Sequence, residues 1–127
     1  MATKIAIVDD DRVTLAVIEK ALILDGFWVY SAQDGEEGLE LVKREKPDIL
    51  ISDMLMPKIH GVDLCKKVKE SHELKHTRVI LMSAVYKKIA YKDLIRESGA
   101  DDFMEKPVDL NTLKDKINKL LKDKDRE

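Results

Sequence analysis

Short apolar runs that stop abruptly on charged or hydroxylated residues constrain this chain more than any other feature. Ile5-Ala6-Ile7-Val8 stops at Asp9-Asp10, Ile49-Leu50-Ile51-Ser52 at Asp53, and Val79-Ile80-Leu81-Met82 at Ser83. A weaker run, Asp102-Phe103-Met104, leads to Lys106. Apolar runs without polar alternation fit strands covered on both faces, the situation of a parallel sheet flanked by helices. Parallel strands present all their carboxyl ends along one edge. Asp9, Asp10, Asp53, Ser83 and Lys106 are therefore expected to meet there, as three carboxylates, a hydroxyl and an ammonium around one crevice.

The stretches between the runs are amphipathic and of helical length, so the chain reads βαβαβαβαβα. Strands are expected at Lys4–Val8, Phe27–Ser31, Asp48–Asp53, Thr77–Met82 and Asp101–Met104. Helices are expected from Arg12 to Asp25, from the Asp34/Glu37 capping box up to Pro47, and from His60 to Ser71. Two more should run from Lys87 to Ser98 and from an Asp109 cap to Lys122. Gly26 and Gly99 sit where a left-handed residue closes a helix. In the last helix Leu110, Leu113, Ile117, Leu120 and Leu121 make one apolar stripe. Right-handed crossovers leave few topologies, and the most economical is a doubly wound five-stranded parallel sheet of order 2-1-3-4-5. A single domain over residues 1–122 is expected, with 123–127 a charged tail or a truncated linker.

With 127 residues the chain is long enough for one unstapled core. A net charge of −2 gives no reason to expect nucleic acid or an anionic membrane surface as partner. No apolar run approaches the ~20 residues of a membrane span. Met1-Ala2-Thr3-Lys4 does not resemble a signal peptide. The lone Cys65 cannot form an internal disulfide, which suits a reducing cytoplasm.

In the order 2-1-3-4-5 the chain reverses direction between the first and third strands, and a crevice opens at their carboxyl ends. Asp9 and Asp10 end one strand and Asp53 the other, ~4.8 Å across. Two carboxylates about 4 Å apart repel by about 4 kcal/mol at an effective dielectric of 20. Mg²⁺ resolves that conflict, because it accepts one or two carboxylates and shares its remaining positions with water and phosphate oxygens. Asp11 is the residue expected to cap the first helix. Three consecutive aspartates exceed what capping needs, so Asp9 and Asp10 are assigned to metal. A carboxylate beside Mg²⁺ can attack phosphorus and become an acyl phosphate. Asp53 lies centrally, between the acidic pair and Ser83. Lys106, ~10 Å away in backbone terms, is expected to pair with Asp53 at rest and to hold a phosphate oxygen afterwards. Ser83 supplies a hydroxyl donor to another oxygen.

Taken together, these residues closely resemble the receiver domain of two-component response regulators, especially CheY-like single-domain ones. Val8-Asp9-Asp10-Asp11 is similar to the family's first acidic motif, and Asp53-Met-Leu-Met-Pro-Lys-Ile-His-Gly61 to its D-x-x-M-P-x-x-x-G segment. Met82-Ser83-Ala84 matches the hydroxyl-small pair and Glu105-Lys106-Pro107 the lysine motif. The resemblance implies a flavodoxin/CheY-like fold with Asp53 as phosphoacceptor. It further implies Mg²⁺, with Mn²⁺ as a possible substitute, on Asp10, Asp53 and the backbone carbonyl of Leu55, Asp9 assisting through water. Ser83 and Phe103 would form the coupled switch pair, and Lys106-Pro107 a cis peptide bond. The implied partners are a sensor histidine kinase or histidine phosphotransfer protein, and a downstream protein target or missing output domain. Such a domain catalyses only its own phosphorylation and slow dephosphorylation. The remodelled output surface would be that of the fourth helix, fifth strand and fifth helix. Ser83 stands where threonine is commoner and Phe103 where tyrosine is. Leu55 and Val85 are apolar at positions where other members often carry polar groups, so neither can orient a hydrolytic water and slow loss of the phosphoryl group is expected.

Asp9-Asp10-Asp11-Arg12-Val13 also fits the D-x-D-x-[TV] signature of haloacid-dehalogenase-type phosphohydrolases, with Asp9 as nucleophile. That alternative leaves the Asp53–Gly61 segment unexplained, and Asp101-Asp102 stand on the wrong side of Lys106. A flavodoxin-like cofactor site is disfavoured because Asp9–Asp11 would repel an anion. His60, His72 and His76 are expected at the surface, Cys65 in the core, and Met54 and Met56 as filler beside Asp53. Trp28 and Tyr30 share one face of the second strand and are expected in the core. Tyr86, Lys87, Lys88, Tyr91 and Lys92 place aromatic and basic groups on the fourth helix. Asp101 and Asp102 lie at the sheet end opposite the site, and no chemistry is expected of them.

Overall fold

A computed structural model describes residues 2–84 and 89–125 of the chain. The strands are β1 (Lys4–Val8), β2 (Trp28–Ala32), β3 (Ile49–Asp53), β4 (Arg78–Ser83) and β5 (Asp102–Glu105). They alternate with α1 (Arg12–Leu24), α2 (Gly35–Glu45), α3 (Gly61–Glu70), α4 (Ile89–Ser98) and α5 (Leu110–Asp125). All neighbours are parallel, in the order β2-β1-β3-β4-β5. This is the doubly wound flavodoxin/CheY-like arrangement that the apolar runs call for.

The pleat sorts the strand residues into two cores. Ala6, Val8, Leu50, Val79 and Leu81 pack on one side with α2 and α3, through residues such as Leu41, Val42, Leu64 and Val68. Ile5, Ile7, Ile49, Ile51, Ile80 and Met82 pack on the other with Leu15, Ile18, Leu113 and Ile117 of α1 and α5. Every residue of β3 is buried, because helices cover both of its faces. At about 1.5–3 kcal/mol for each fully buried large aliphatic side chain, these layers dominate the fold's stability. The stripe predicted on α5 does what its spacing requires: Leu113, Ile117 and Leu120 are buried, while Leu110 and Leu121 pack at the margin.

Helix ends follow local chemistry. Asp11 caps α1, accepting from the Val13 N–H (3.0 Å), the Thr14 N–H (3.5 Å) and the Thr14 hydroxyl (2.8 Å). Asp34 caps α2 through the Glu37 N–H at 2.8 Å, and Asp109 caps α5 through the Asn111 N–H at 3.0 Å. Gly26 follows α1 at φ 92°, a backbone state that glycine adopts without steric cost.

Some boundaries differ from the sequence expectation. Phe27 is not yet strand, since its N–H still closes α1 on the Leu22 carbonyl (3.2 Å). Thr77 stays outside β4 with its hydroxyl donated to the Pro47 carbonyl at 2.7 Å. α5 continues to Asp125, three residues past the expected Lys122. Trp28 corrects the core assignment. It is 56% exposed, because it opens an edge strand and the packing on that face takes in Ala32 and Tyr30 but stops short of Trp28. Val85, Tyr86, Lys87 and Lys88 lie outside the described residues, and Lys92 is exposed on α4.

Cys65 is buried, and its thiol faces the Ser98 carbonyl at 3.4 Å. His60, His72 and His76 are exposed. Asp101 and Asp102 are engaged in structural ion pairs, Asp101 with Lys69 (2.7 Å) and Arg78 (3.6 Å), Asp102 with Lys116 (2.9 Å). No helix among the described residues is long and apolar enough to cross a membrane.

Candidate functional site

Register brings the strand-end residues together. Val8 stands beside Ser52, so the next residues, Asp9 and Asp53, leave adjacent strands side by side. Asp53 in turn aligns with Met82, and Ser83 with Glu105, the residue before Lys106. One carboxylate oxygen from each of Asp9, Asp10 and Asp53 falls within 4.8 Å of the others. Asp9 is fully buried, Asp53 is 9% exposed and Asp10 reaches the surface.

Each carboxylate has a different local setting. Asp9 Oδ1 accepts the Asp11 N–H at 2.9 Å, and its Oδ2 forms an ion pair with Lys106 Nζ at 2.8 Å. Lys106 Nζ lies farther from Asp53 Oδ2, at 3.6 Å. The expected resting pair of Lys106 with Asp53 is present, as the longer arm of a bridge whose short arm goes to Asp9. The reason is burial: an anion withdrawn completely from water must have a cation, whereas Asp53 keeps some contact with solvent. The Asp11 carboxylate serves the helix instead: the Thr14 hydroxyl and the α1 amides occupy its oxygens and hold its pKa below the ordinary range.

The same burial tunes the central carboxyl. Loss of solvent pushes the Asp53 pKa up to about 6; Lys106 opposes the rise, and Asp9 and Asp10 add to it. Burial alone would lower the Lys106 pKa, but the Asp9 carboxylate, followed by Asp53, outweighs it and holds the ammonium above its ordinary range. The cluster therefore carries more negative charge than one lysine neutralises. Hard carboxylate oxygens at this mutual spacing fit the requirements of Mg²⁺.

The remaining predicted residues lie on β4, on β5 and in the loop after β3. Ser83, 2% exposed, ends β4, and its carbonyl accepts the Lys106 N–H at 3.0 Å. Leu81 aligns with Phe103 and Ser83 with Glu105, so by the two-residue repeat Ser83 and Phe103 share one face of the sheet. Phe103 packs half-buried against the α2–α3 core. Leu55, in the loop after β3, is 44% exposed between buried Met54 and buried Met56. That loop is closed by Gly61, where a Cβ would lie 1.9 Å from the Asp53 carbonyl oxygen. The Lys106-Pro107 peptide bond is cis.

Gly35 is a contributor that sequence reasoning passed over. A Cβ there would lie 1.9 Å from the Ile59 carbonyl oxygen, so the start of α2 touches the loop that follows Asp53. The only signal was a glycine directly after a capping aspartate, and nothing in the sequence says which backbone it approaches.

Fold and site together define a doubly wound α/β domain with an acidic, lysine-bridged crevice at its topological switch point. The sequence model of the family described as "Response regulator receiver domain" matches residues 5–118, and the chain belongs to that family, the receiver domains of two-component signalling. It is 31% identical over 123 residues to the response regulator MprA of Mycolicibacterium vanbaalenii, covering 96% of this chain and 52% of that protein. Over 119 residues it is 33% identical to the probable transcriptional regulator ycf27 of Guillardia theta, covering 94% of this chain and 45% of that protein. The chain spans about half the length of the curated relatives it matches. Among solved structures, a putative response regulator from Chloroflexus aurantiacus superposes with a TM-score of 0.88 at 32% identity, covering 95% of this chain and 98% of that one. A CheY-like receiver domain protein from Methanospirillum hungatei does so with a TM-score of 0.92 at 25% identity, covering 99% and 98%. These likenesses lend the hydrolase alternative no support.

Proposed function

We propose that the chain is a phosphoryl-accepting switch in which Asp53 is the acceptor. The observation that carries this reading is the lysine-bridged cluster of Asp9, Asp10 and Asp53, with Asp53 the central carboxylate and partly open to solvent. Asp9 is a poor nucleophile by comparison, being fully buried and engaged by both the Asp11 N–H and Lys106. That also argues against a hydrolase built on Asp9.

Asp10, Asp53 and the Leu55 carbonyl would hold Mg²⁺, or Mn²⁺ in its place, with Asp9 assisting through water. When bound, the cation neutralises the excess carboxylate charge and draws phosphoryl oxygens into the crevice. An Asp53 carboxylate oxygen attacks phosphorus as the bond to the donor breaks. The donor is a phosphohistidine of a sensor kinase or phosphotransfer protein, whose imidazole nitrogen keeps the electron pair and takes up a proton. Lys106 then turns from the carboxylates to a phosphoryl oxygen, and the Ser83 hydroxyl donates to another. Movement of Ser83 vacates space on the sheet face it shares with Phe103, and the aromatic ring follows. The output is a changed α4-β5-α5 surface, read by a partner protein or by an output domain. Charge-assisted contacts of about 1.5–3 kcal/mol each from Ser83 and Lys106 come close to the about 5.5 kcal/mol that a shift from 1:99 to 99:1 requires. Residues 1–122 constitute the switch, working in the cytoplasm. Its only catalysis is its own phosphorylation and a slow dephosphorylation.

The test is intact-protein mass after incubation with Mg²⁺ and acetyl phosphate. The expected result is one added phosphoryl group, dependent on Mg²⁺ and absent from Asp53→Asn. Retention of label by Asp53→Asn with loss in Asp9→Asn would overturn the assignment.

A further inference from the structure

The loop that follows Asp53 is held at two separate places. At its near end the Met54 N–H donates to the Met82 carbonyl (2.8 Å), and the Met54 carbonyl accepts from the Gly61 N–H (2.9 Å). At its far end the Pro57 carbonyl accepts from the Ile59 N–H (2.9 Å) and from the Gly35 N–H (3.4 Å), at the first residue of α2. Next to Pro57, Lys58 adopts a left-handed backbone at φ 70°. Its ammonium reaches Asp34 Oδ2 at 3.6 Å, while Asp34 Oδ1 caps α2. The Gly35 contact with the Ile59 carbonyl oxygen leaves no room even for a methyl group. Leu55 lies between these two anchored ends. Its half-exposed side chain gives little hold of its own, so its carbonyl points where the anchors on either side put it.

We propose that the start of α2, through Gly35 and the Asp34–Lys58 ion pair, is a positioning element that aims the Leu55 carbonyl and so sets cation affinity from outside the acidic cluster. The proposal rests on the reading of that cluster as a Mg²⁺ site. Mg²⁺ demands near-ideal octahedral geometry with ligands at ~2.0–2.1 Å. A backbone ligand displaced by a few tenths of an ångström is therefore a weakened one. Pulling the far anchor loose from α2 lets the Leu55–Lys58 segment drift without touching a carboxylate of the acidic cluster.

Lys58→Gly loosens the far anchor in two ways, by removing the ion pair and by freeing the backbone at φ 70°. Simple electrostatics predicts the opposite outcome. Deleting a lysine near a cation site removes repulsion and tightens binding, whereas loss of positioning weakens it.

The experiment is a Mg²⁺ titration of the full chain followed by nuclear magnetic resonance, on wild type, Lys58→Gly, Lys58→Arg and Gly35→Ala. Thermal unfolding in EDTA is measured alongside. The Kd of Lys58→Gly is expected to rise two- to fivefold, the range a partly exposed ion pair can supply, and Lys58→Arg to restore the wild-type value. Gly35→Ala should weaken Mg²⁺ tenfold or more; if it fails to fold, the two Lys58 variants decide the question. Ile117→Val, a trimmed core residue on α5, should lower stability and leave the Kd unchanged. Unchanged or tighter binding by Lys58→Gly beside a normal wild type, or an equal loss in Ile117→Val, overturns the positioning role. A wild type that takes up no Mg²⁺ overturns instead the cation reading beneath it.

Discussion

Replacing Asp53 by asparagine is expected to stabilise the metal-free protein at neutral pH while abolishing the proposed acceptor. Burial raises the Asp53 pKa from 3.8 to about 6, so the folded chain holds this proton more tightly than the unfolded chain does. A carboxyl shifted upward contributes stability that is fully present below about pH 3.8 and is lost as pH rises through about 6. Two pKa units at about 1.36 kcal/mol each give about 3 kcal/mol of strain at pH 7.5. Asp53 is only 9% exposed, so solvent does not screen most of this away. Asparagine keeps the shape and cannot ionise, so it escapes the penalty. For a chain of this length about 3 kcal/mol corresponds to roughly 10 °C in Tm. The assay is thermal unfolding by circular dichroism in EDTA, for both proteins, at pH 7.5 and pH 4.5. The variant should melt higher at pH 7.5, and the gap should shrink by about 2 kcal/mol at pH 4.5, where wild-type Asp53 is already protonated in the fold. Mg²⁺ at a hundred times its Kd should return about 2.7 kcal/mol to wild type and much less to the variant. A variant that melts lower than wild type at pH 7.5, or a gap indifferent to pH, would refute the reasoning.

Other changes probe other parts of the site. Lys106→Met strands the buried Asp9 carboxylate and should cost about 3 kcal/mol in urea unfolding without metal, with Mg²⁺ recovering part of the loss; equal stability with and without the lysine would count against the Asp9 bridge. Gly61→Ala drives a methyl group into the Asp53 carbonyl and should destabilise the fold by about 2 kcal/mol or more in the same assay; a silent substitution would mean that the loop yields freely. The acyl phosphate on Asp53 should last minutes or longer, since Leu55 offers an attacking water no polar partner; a lifetime of seconds, followed by mass, would contradict this.

Much of the fold could be read before any coordinates, because its signals are local. Unalternated apolar runs mark strands covered on both faces, Asp11, Asp34 and Asp109 mark helix starts, and the stripe from Leu110 to Leu121 marks a packed face. The site was legible for the same reason: in a parallel sheet, whatever follows a strand lies at one edge, so Asp9, Asp10, Asp53, Ser83 and Lys106 could be grouped by counting. Trp28 was misplaced because period-two reasoning identifies a shared face but not how far along an edge strand the cover extends.

What the chain alone determined, then, is the set of strands, the caps and the membership of the crevice, since each depends on residues adjacent in sequence. Tertiary structure alone decided the contacts between segments far apart in the chain. Lys106 reaches Asp9 at 2.8 Å and Asp53 at 3.6 Å, a preference that depends on how deeply each carboxylate is buried rather than on strand order. Gly35 meets the Ile59 carbonyl because a helix and a loop converge across the sheet's upper edge. Burial and lateral approach are properties of the packed whole, and no spacing within the sequence encodes them.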